Sequence, residues 1–455
     1  MRDLTAGSIS RHLIGMAAFI GIGLVVQTLY FLVDLYFVAR LGKTALAGVS
    51  SAGSTTFLVM AASQLIAVGA LSLISQAIGR REAADAQSVF EQSLSLSLVL
   101  GLATLVIGYT IGFAGVRALG ADAATSALAA QYLAAYLPAL ALMFPVAAIG
   151  SALRASGVTG PPMLIQSLTV VLNALLAPVL VTGWLTGYPL GVVGAGLASS
   201  IATLAGVAAF VLLFDRMQQT LRLDFRRLAP RLAIWRRIAN VGLPAAGEFA
   251  MIFVMTAVVY WIIRDYGPQV QAGYGIASRI MQSIFLPPMA IAFAAAAIAG
   301  QNYGAKLPDR VRATFRQCAA IGSVVMLALT LLCQTSPQAL VLPFTHDPSV
   351  VAVAADYLRI SSLNFVAIGL VFACSGMFQA FGDTRPALIS SAGRLLTFVL
   401  PALYLSTRGD VPVETYWYLS AASVTGQAIV SLWLLRGHMR RKLGIRAISP
   451  LPMTV

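Results

Sequence analysis

Residues 24–42 read LVVQTLYFLVDLYFVARLG, an apolar run with one carboxylate, Asp34, set inside it. An ionised aspartate at the centre of a membrane helix costs about 2.5–3.5 kcal/mol or more, so such groups are candidates for function. Gln27, Tyr30 and Asp34 stand at i, i+3 and i+7 and share one helical face. A polar stripe on an apolar rod belongs against a bundle interior or a watery cavity, not against lipid. A purely structural aspartate, tying two helices together, would look the same in sequence.

The rest of the chain extends this reading. Of 455 residues, 59% are hydrophobic and only 10% charged, against roughly 45–50% and 25% in soluble domains. The fold class is therefore an all-α integral membrane protein. Spans of about 20 apolar residues occur at 12–38, 45–78, 88–116, 128–152, 161–183, 190–214, 240–264, 271–299, 313–336, 353–379, 386–407 and 416–435. These are twelve transmembrane helices. The net charge of +14 would suit nucleic acid by itself, but its placement does not. With the N-terminus inside, 22 of the 30 Lys and Arg fall in inner loops and tails and 5 in outer ones. That asymmetry is the positive-inside signature. It puts both termini of a multi-pass membrane protein in the cytoplasm, with no nucleic acid among its partners.

A shift of 225 residues aligns the two halves. Gly42 falls on Gly267, Gln76-Ala-Ile-Gly79 on Gln301-Asn-Tyr-Gly304, and Asp122 on Asp347. Arg154-Ala-Ser-Gly157 falls on Gln379-Ala-Phe-Gly382. Each half has an even number of helices, so the repeat is parallel, two six-helix bundles about an axis along the membrane normal; transporters often place substrate sites at such interfaces. The expected division is residues 1–214, a cytoplasmic linker 215–239, residues 240–436, and a basic tail 437–455. Asp34 maps to Val259 and Asn173 to Phe398, while Glu248 maps to Gly23 and Arg394 to Thr169. The halves share a fold and differ in interior chemistry.

Topology places Asp34, Asn173, Ser199, Tyr132 and Tyr136 at one outer level of the first half. Gln166, Thr169 and Asn173 form a second stripe at i, i+3 and i+7. Together they could cradle Asp34 and let it load and unload a proton; unrelated helix-packing hydroxyls and amides would give the same pattern. Glu248 and Arg394 lie at matched depth in the second half and could form an ion pair or a gate. No P-loop, GxSxG or metal-ligand spacing is present, and His12, His346 and His438 sit at helix ends or in loops. The chain does not read as an enzyme, no metal or cofactor is expected, and the energy must come from an ion gradient or from another subunit. Cys318, Cys333 and Cys374 read as packing residues.

LVVQTLYFLVDLYFVARLG, SQAIGRREAADAQ, LRASGVTGPPM, its echo FQAFGDTRPAL, and GVVGAGLAS together resemble the multidrug and toxic compound extrusion (MATE) family over nearly the whole chain. The resemblance implies a V-shaped transporter of two lobes that exports cationic and amphipathic compounds in exchange for protons or sodium ions. Asp34 matches the family's first-helix acid, Asn173 the helix-five asparagine and Tyr132 the helix-four tyrosine; Ser199 stands where threonine is usual. Ala177 replaces a second acid, and Ile252 and Ile368 stand where the sodium-coupled branch carries acids. These departures place the chain nearer the DinF-like branch and favour protons over sodium ions. The expectation is a monomeric multidrug antiporter whose partners are small cationic or amphipathic drugs and the lipid bilayer. The alternative is a flippase for lipid-linked or polysaccharide precursors.

Overall fold

The computed structural model describes residues 3–112, 123–217, 221–408 and 411–444. Helix is the only regular secondary structure among the described residues. Helices α1 (Ile9–Ala39), α2 (Lys43–Gly79), α3 (Ala83–Ile107), α4 (Ala123–Ala155), α5 (Gly160–Thr182) and α6 (Gly191–Met217) make the first half. The second half holds α7 (Leu232–Ile263), α8 (Pro268–Gly304), α9 (Pro308–Thr335), α10 (Pro348–Ser362), α11 (Phe365–Phe381), α12 (Arg385–Ser406) and α13 (Val413–Lys442). Eleven of these are long and apolar enough to cross a membrane, and the bent pair α10–α11 makes a twelfth span. Lipid-facing leucines such as Leu164, Leu168 and Leu175 along α5 are more than half exposed, as a bilayer requires of residues that no protein covers.

The structure departs from the expected boundaries in four places. The tenth span, expected as one helix over 353–379, is broken by 57° between Ser362 and Phe365. The third ends as an α-helix at Ile107 and continues as a π-helical turn, Gly108–Gly112. Asp122 and the end of the basic tail lie outside the described residues. Helix α7 starts at Leu232, inside the stretch expected to be linker, and α13 runs on to Lys442, inside the expected tail. Arg440, Arg441 and Lys442 fill the last turn of α13, where positive charge complements the helix dipole. What precedes α7 is strapped along α3: Ser95 Oγ donates to Leu228 O (2.6 Å), Gln92 Nε2 to Ala229 O (3.0 Å), and Arg231 N to Gln92 Oε1 (2.7 Å).

The repeat persists in the backbone. Gly42 and Gly267, Arg81 and Lys306, and Gly157 and Gly382 all share left-handed φ angles. It also governs how the chain handles interrupted helices. Pro138 within α4 cannot donate to the Ala134 carbonyl; Tyr109 Oη does so instead, at 2.9 Å. One residue on, Ser200 of α6 donates to Ala135 O (2.6 Å) and accepts from Ala139 N (3.3 Å). The counterparts in the second half sit at the α10–α11 break. Gln334 donates to Arg359 O at 2.7 Å, and Thr425 of α13 donates to Asn364 Oδ1 at 2.8 Å. In lipid every freed backbone group needs a partner inside the protein; Tyr109 in the first half and its equivalent Gln334 in the second answer the freed carbonyls.

The halves clasp each other at the end that carries both termini. Gln76 Nε2 of α2 donates to Ala380 O of α11 (2.8 Å), and its counterpart Gln301 Nε2 of α8 donates to Ala155 O of α4 (2.6 Å). Gly79 packs against the Gln301 carbonyl and Gly304 against the Gln76 carbonyl so closely that neither position has room for a Cβ. The segment before α1 is pinned across this seam. Leu4, fully buried, donates its N–H to Gln301 Oε1 (3.3 Å), and its carbonyl accepts from Asn302 Nδ2 (3.0 Å) and Arg310 Nη2 (3.3 Å).

Candidate functional site

Asp34 lies about seven turns into α1 and is 8% exposed. Its Oδ2 accepts a hydrogen bond from Tyr132 Oη of α4 at 2.9 Å. Its Oδ1 is buried with no partner. Tyr132 stacks on Tyr136 one turn on, with ring centroids 5.2 Å apart. The Tyr136 hydroxyl in turn pairs with Thr56 of α2. Three helices thus meet around the carboxylate, and among the described residues no Lys, Arg or His forms an ion pair with it.

A second cluster sits one turn back along α1. Asn173 of α5, completely buried, donates from Nδ2 to Ser199 Oγ of α6 (3.1 Å) and to Tyr30 Oη (3.4 Å). Tyr30 also pairs with Thr203, one turn beyond Ser199. Asn173 Oδ1, like Asp34 Oδ1, is buried without a partner. Asn173 does not hydrogen-bond to Asp34; Tyr30 joins its cluster from the turn of α1 below the carboxylate. The close fit of α6 against α4 depends on Gly196, where a Cβ would meet Tyr132 O at 2.8 Å and Tyr136 N at 3.0 Å.

The other stripe residues do other work. Thr169 Oγ1 bonds back to Ile165 O (3.0 Å) and packs on Gly206 of α6. Gln166 lies beside Gly23 of α1, and neither it nor Gln27 hydrogen-bonds to Asp34, Asn173 or Tyr132. Thr56 and Thr203 were not singled out in the sequence. Thr203 could have been, because it follows Ser199 at i+4 on the same face; Thr56 stands among many small residues of α2 and carries no such signal.

In the second half the expected Glu248–Arg394 ion pair is not made. Glu248 Oε2 instead accepts from Ser375 Oγ of α11 at 2.9 Å. Arg394 is within electrostatic reach of Tyr274 and Tyr357, two rings of a cluster closed by Trp417. The two helices turn these side chains towards different neighbours.

Chemically, the first-half site is one carboxylate held by a phenol on one oxygen and bare on the other, with a second bare carbonyl oxygen in the adjoining cluster. Buried acceptors left without donors cost about 1–3 kcal/mol each, and such oxygens favour the approach of a donor or a cation. The MatE family model matches residues 20–179 and again 244–405. The chain belongs to the MatE family. It is a MATE transporter and not an enzyme. It is 26% identical to the multidrug export protein MepA of Staphylococcus haemolyticus over 84% of each chain, and 24% identical to MepA of Staphylococcus aureus over 92% of each. Among solved structures it superposes on an outward-facing multidrug resistance MATE transporter with a TM-score of 0.89 at 23% identity, covering 96% of this chain and 98% of that one. It superposes equally well, at the same TM-score and identity, on a transporter of the same superfamily from Pyrococcus furiosus, covering 97% and 98%. The twelve-span MATE architecture is thereby established. The family model's two matches begin in α1 and α7, the helices that carry Asp34 and Glu248.

Proposed function

We propose that this MATE transporter is a multidrug antiporter that exports cationic and amphipathic compounds in exchange for protons, with Asp34 as the proton-carrying group. The observation that carries the reading is the Asp34 carboxylate: buried, held by Tyr132 on one oxygen, bare on the other and without a counter-ion. A group in this setting changes its interactions whenever a proton arrives or leaves. Helix α1, which bears it, contacts α5 and α6 of its own half and α8 of the other, so a change at Asp34 reaches the seam between the halves. The MepA relatives, named for multidrug export, support the cargo side. A single carboxylate among neutral phenols, hydroxyls and an amide suits a proton; sodium coupling is the competing ion.

The basic residues cluster at the clasped end of the molecule, so the positive-inside rule turns that end to the cytoplasm of a bacterial inner membrane, with both termini inside. The conformation described is then the one sealed towards the cytoplasm. The functional unit in this scheme is the monomer. The flippase reading draws on Arg154, whose Nε is buried without a partner and which could face an anionic headgroup.

The test is export of a cationic dye from proteoliposomes under a proton gradient or a sodium gradient imposed separately. Proton-driven export that is lost in Asp34→Asn, with the variant still folded, is the expected result. Sodium-driven export alone would replace the proton in this scheme. No dye movement under either gradient would shift the weight to the flippase.

A further inference from the structure

A second polar site in the second half is unused by this scheme. Glu248 of α7 and Ser375 and Gln379 of α11 line a cavity of about 30 Å³ whose walls include the rings of Phe249, Phe293 and Phe372. Ser375 donates to one carboxylate oxygen of Glu248. Gln379 is 4% exposed, and its Oε1 is buried without a donor. Among the described residues no cation pairs with this carboxylate, and Arg394, the candidate by depth, is within electrostatic reach of Tyr274 and Tyr357. A carboxylate, an orphaned amide oxygen and three aromatic walls therefore converge on one space and leave it short of positive charge and of hydrogen-bond donors.

The repeat shows that the fold does not require this arrangement. The positions equivalent to Glu248, Ser375 and Gln379 in the first half are Gly23, Gly150 and Arg154. The same backbone carries no acid there and a guanidinium in place of the amide. The polar triplet belongs to the interior chemistry that distinguishes the second half, and not to packing shared by both.

We propose that Glu248, Ser375 and Gln379 form a receptor for the ammonium head of an organic cation, distinct from the Asp34 cluster. The ammonium supplies charge to the Glu248 carboxylate and an N–H to Gln379 Oε1, and it lies against ring faces that attract cations electrostatically. An inorganic cation is a poorer match, because hard cations gather about six or more oxygens and this cavity offers few among its aromatic walls. The cavity takes a head group and not a whole drug, so the remainder of the ligand extends beyond it. The proposal rests on the reading of the protein as an exporter of cations.

Its test is equilibrium binding of phenethylammonium and of its uncharged isostere, phenethyl alcohol, to the purified full-length protein by isothermal calorimetry. The wild type is expected to bind the ammonium at least tenfold more tightly than the alcohol. Glu248→Gln should remove that preference, Gln379→Leu should weaken it severalfold, and Asp34→Asn should leave it in place. Thermal melts of each variant report folding, and Gln379→Leu serves if Glu248→Gln does not fold. A wild type that treats the two probes alike, a preference that survives in both second-half variants, or a preference that vanishes in Asp34→Asn would each overturn the receptor. Binding is read without any gradient. Failure of proton-driven export would therefore leave the receptor standing, and absence of charge preference in a protein that exports dye on a proton gradient would remove the receptor alone.

Discussion

Tyr132 and Asp34 are 98 residues apart in sequence and 2.9 Å apart in space. Among the described residues Tyr132 is the one donor to the carboxylate. Tyr132→Phe is expected to destabilise the protein by about 1–3 kcal/mol, the range for a buried acceptor stripped of its donor, and to slow dye export at least severalfold. In a double-mutant cycle with Asp34→Asn the two substitutions should be strongly non-additive, since neutralising the carboxylate removes much of what the phenol does. Additive losses in thermal melts would mean that Tyr132 acts through its ring packing on Tyr136 alone. At Gly196 a methyl would meet Tyr132 O at 2.8 Å, and forcing side-chain volume into such a contact costs about 1–3 kcal/mol. Gly196→Ala should lower the melting temperature and impair export together, because α6 carries Ser199 one turn further on.

At the scale of elements, the interrupted helices α4 and α10–α11 show how two sequences with little in common make one device. Tyr109 and Gln334 are equivalent by the repeat, chemically unlike, and bonded to equivalent carbonyls, Ala134 O and Arg359 O. The losses on removing them should differ. Tyr109→Phe gives up the bond to Ala134 O at an exposed site, and polar contacts between membrane helices average about 0.6 kcal/mol. Gln334→Leu gives up two, one to Arg359 O and one to Ser362 Oγ, at the point where the span bends by 57°. Chemical denaturation in detergent should therefore find Gln334→Leu the more destabilising, by roughly twofold if the two bonds are of ordinary strength. A smaller effect than that of Tyr109→Phe would show that Thr330, which also donates to Ser362 O, suffices to hold the break.

For the whole molecule the seam between the halves is the decisive feature. Gln76 and Gln301 exchange places across it, each bonding to the carbonyl of the other half's fourth or tenth span. Gly79 and Gly304 let two backbones touch where a side chain would hold them apart. The combined change Gln76→Ala and Gln301→Ala is expected to loosen this end without unfolding either half. Spin labels placed on the two sides of the seam should then report a broader, longer distance distribution than in the wild type. Gly79→Leu should do the same more severely, because its obstacle is backbone and not a side chain that can turn away. An unchanged distribution in both variants would assign the closure to the apolar contacts around Leu4 and the α2–α7 packing.

Much of this architecture was legible in the chain itself. Span number, the 225-residue echo and the placement of basic residues all follow from patterns that recur many times, and hydrocarbon tolerates few exceptions to them. Asp34 stood out because a lone acid in an apolar run is costly wherever it lies. Its company was legible only in part. Tyr132, Asn173 and Ser199 could be proposed from depth and helical face, whereas Thr56, the Asn173–Tyr30 bond and the parting of Glu248 from Arg394 could not. Those depend on how far each helix is rotated about its own axis, which is set by packing against several neighbours at once. The same holds for the break at Ser362–Phe365, where no proline or glycine marks the site and the freed carbonyls are answered from helix α9. One-dimensional patterns thus determined which segments cross the membrane and which buried charge is exceptional. Tertiary packing alone decided which side chains meet, because rotation and close approach are properties of the assembled helices and not of any one of them.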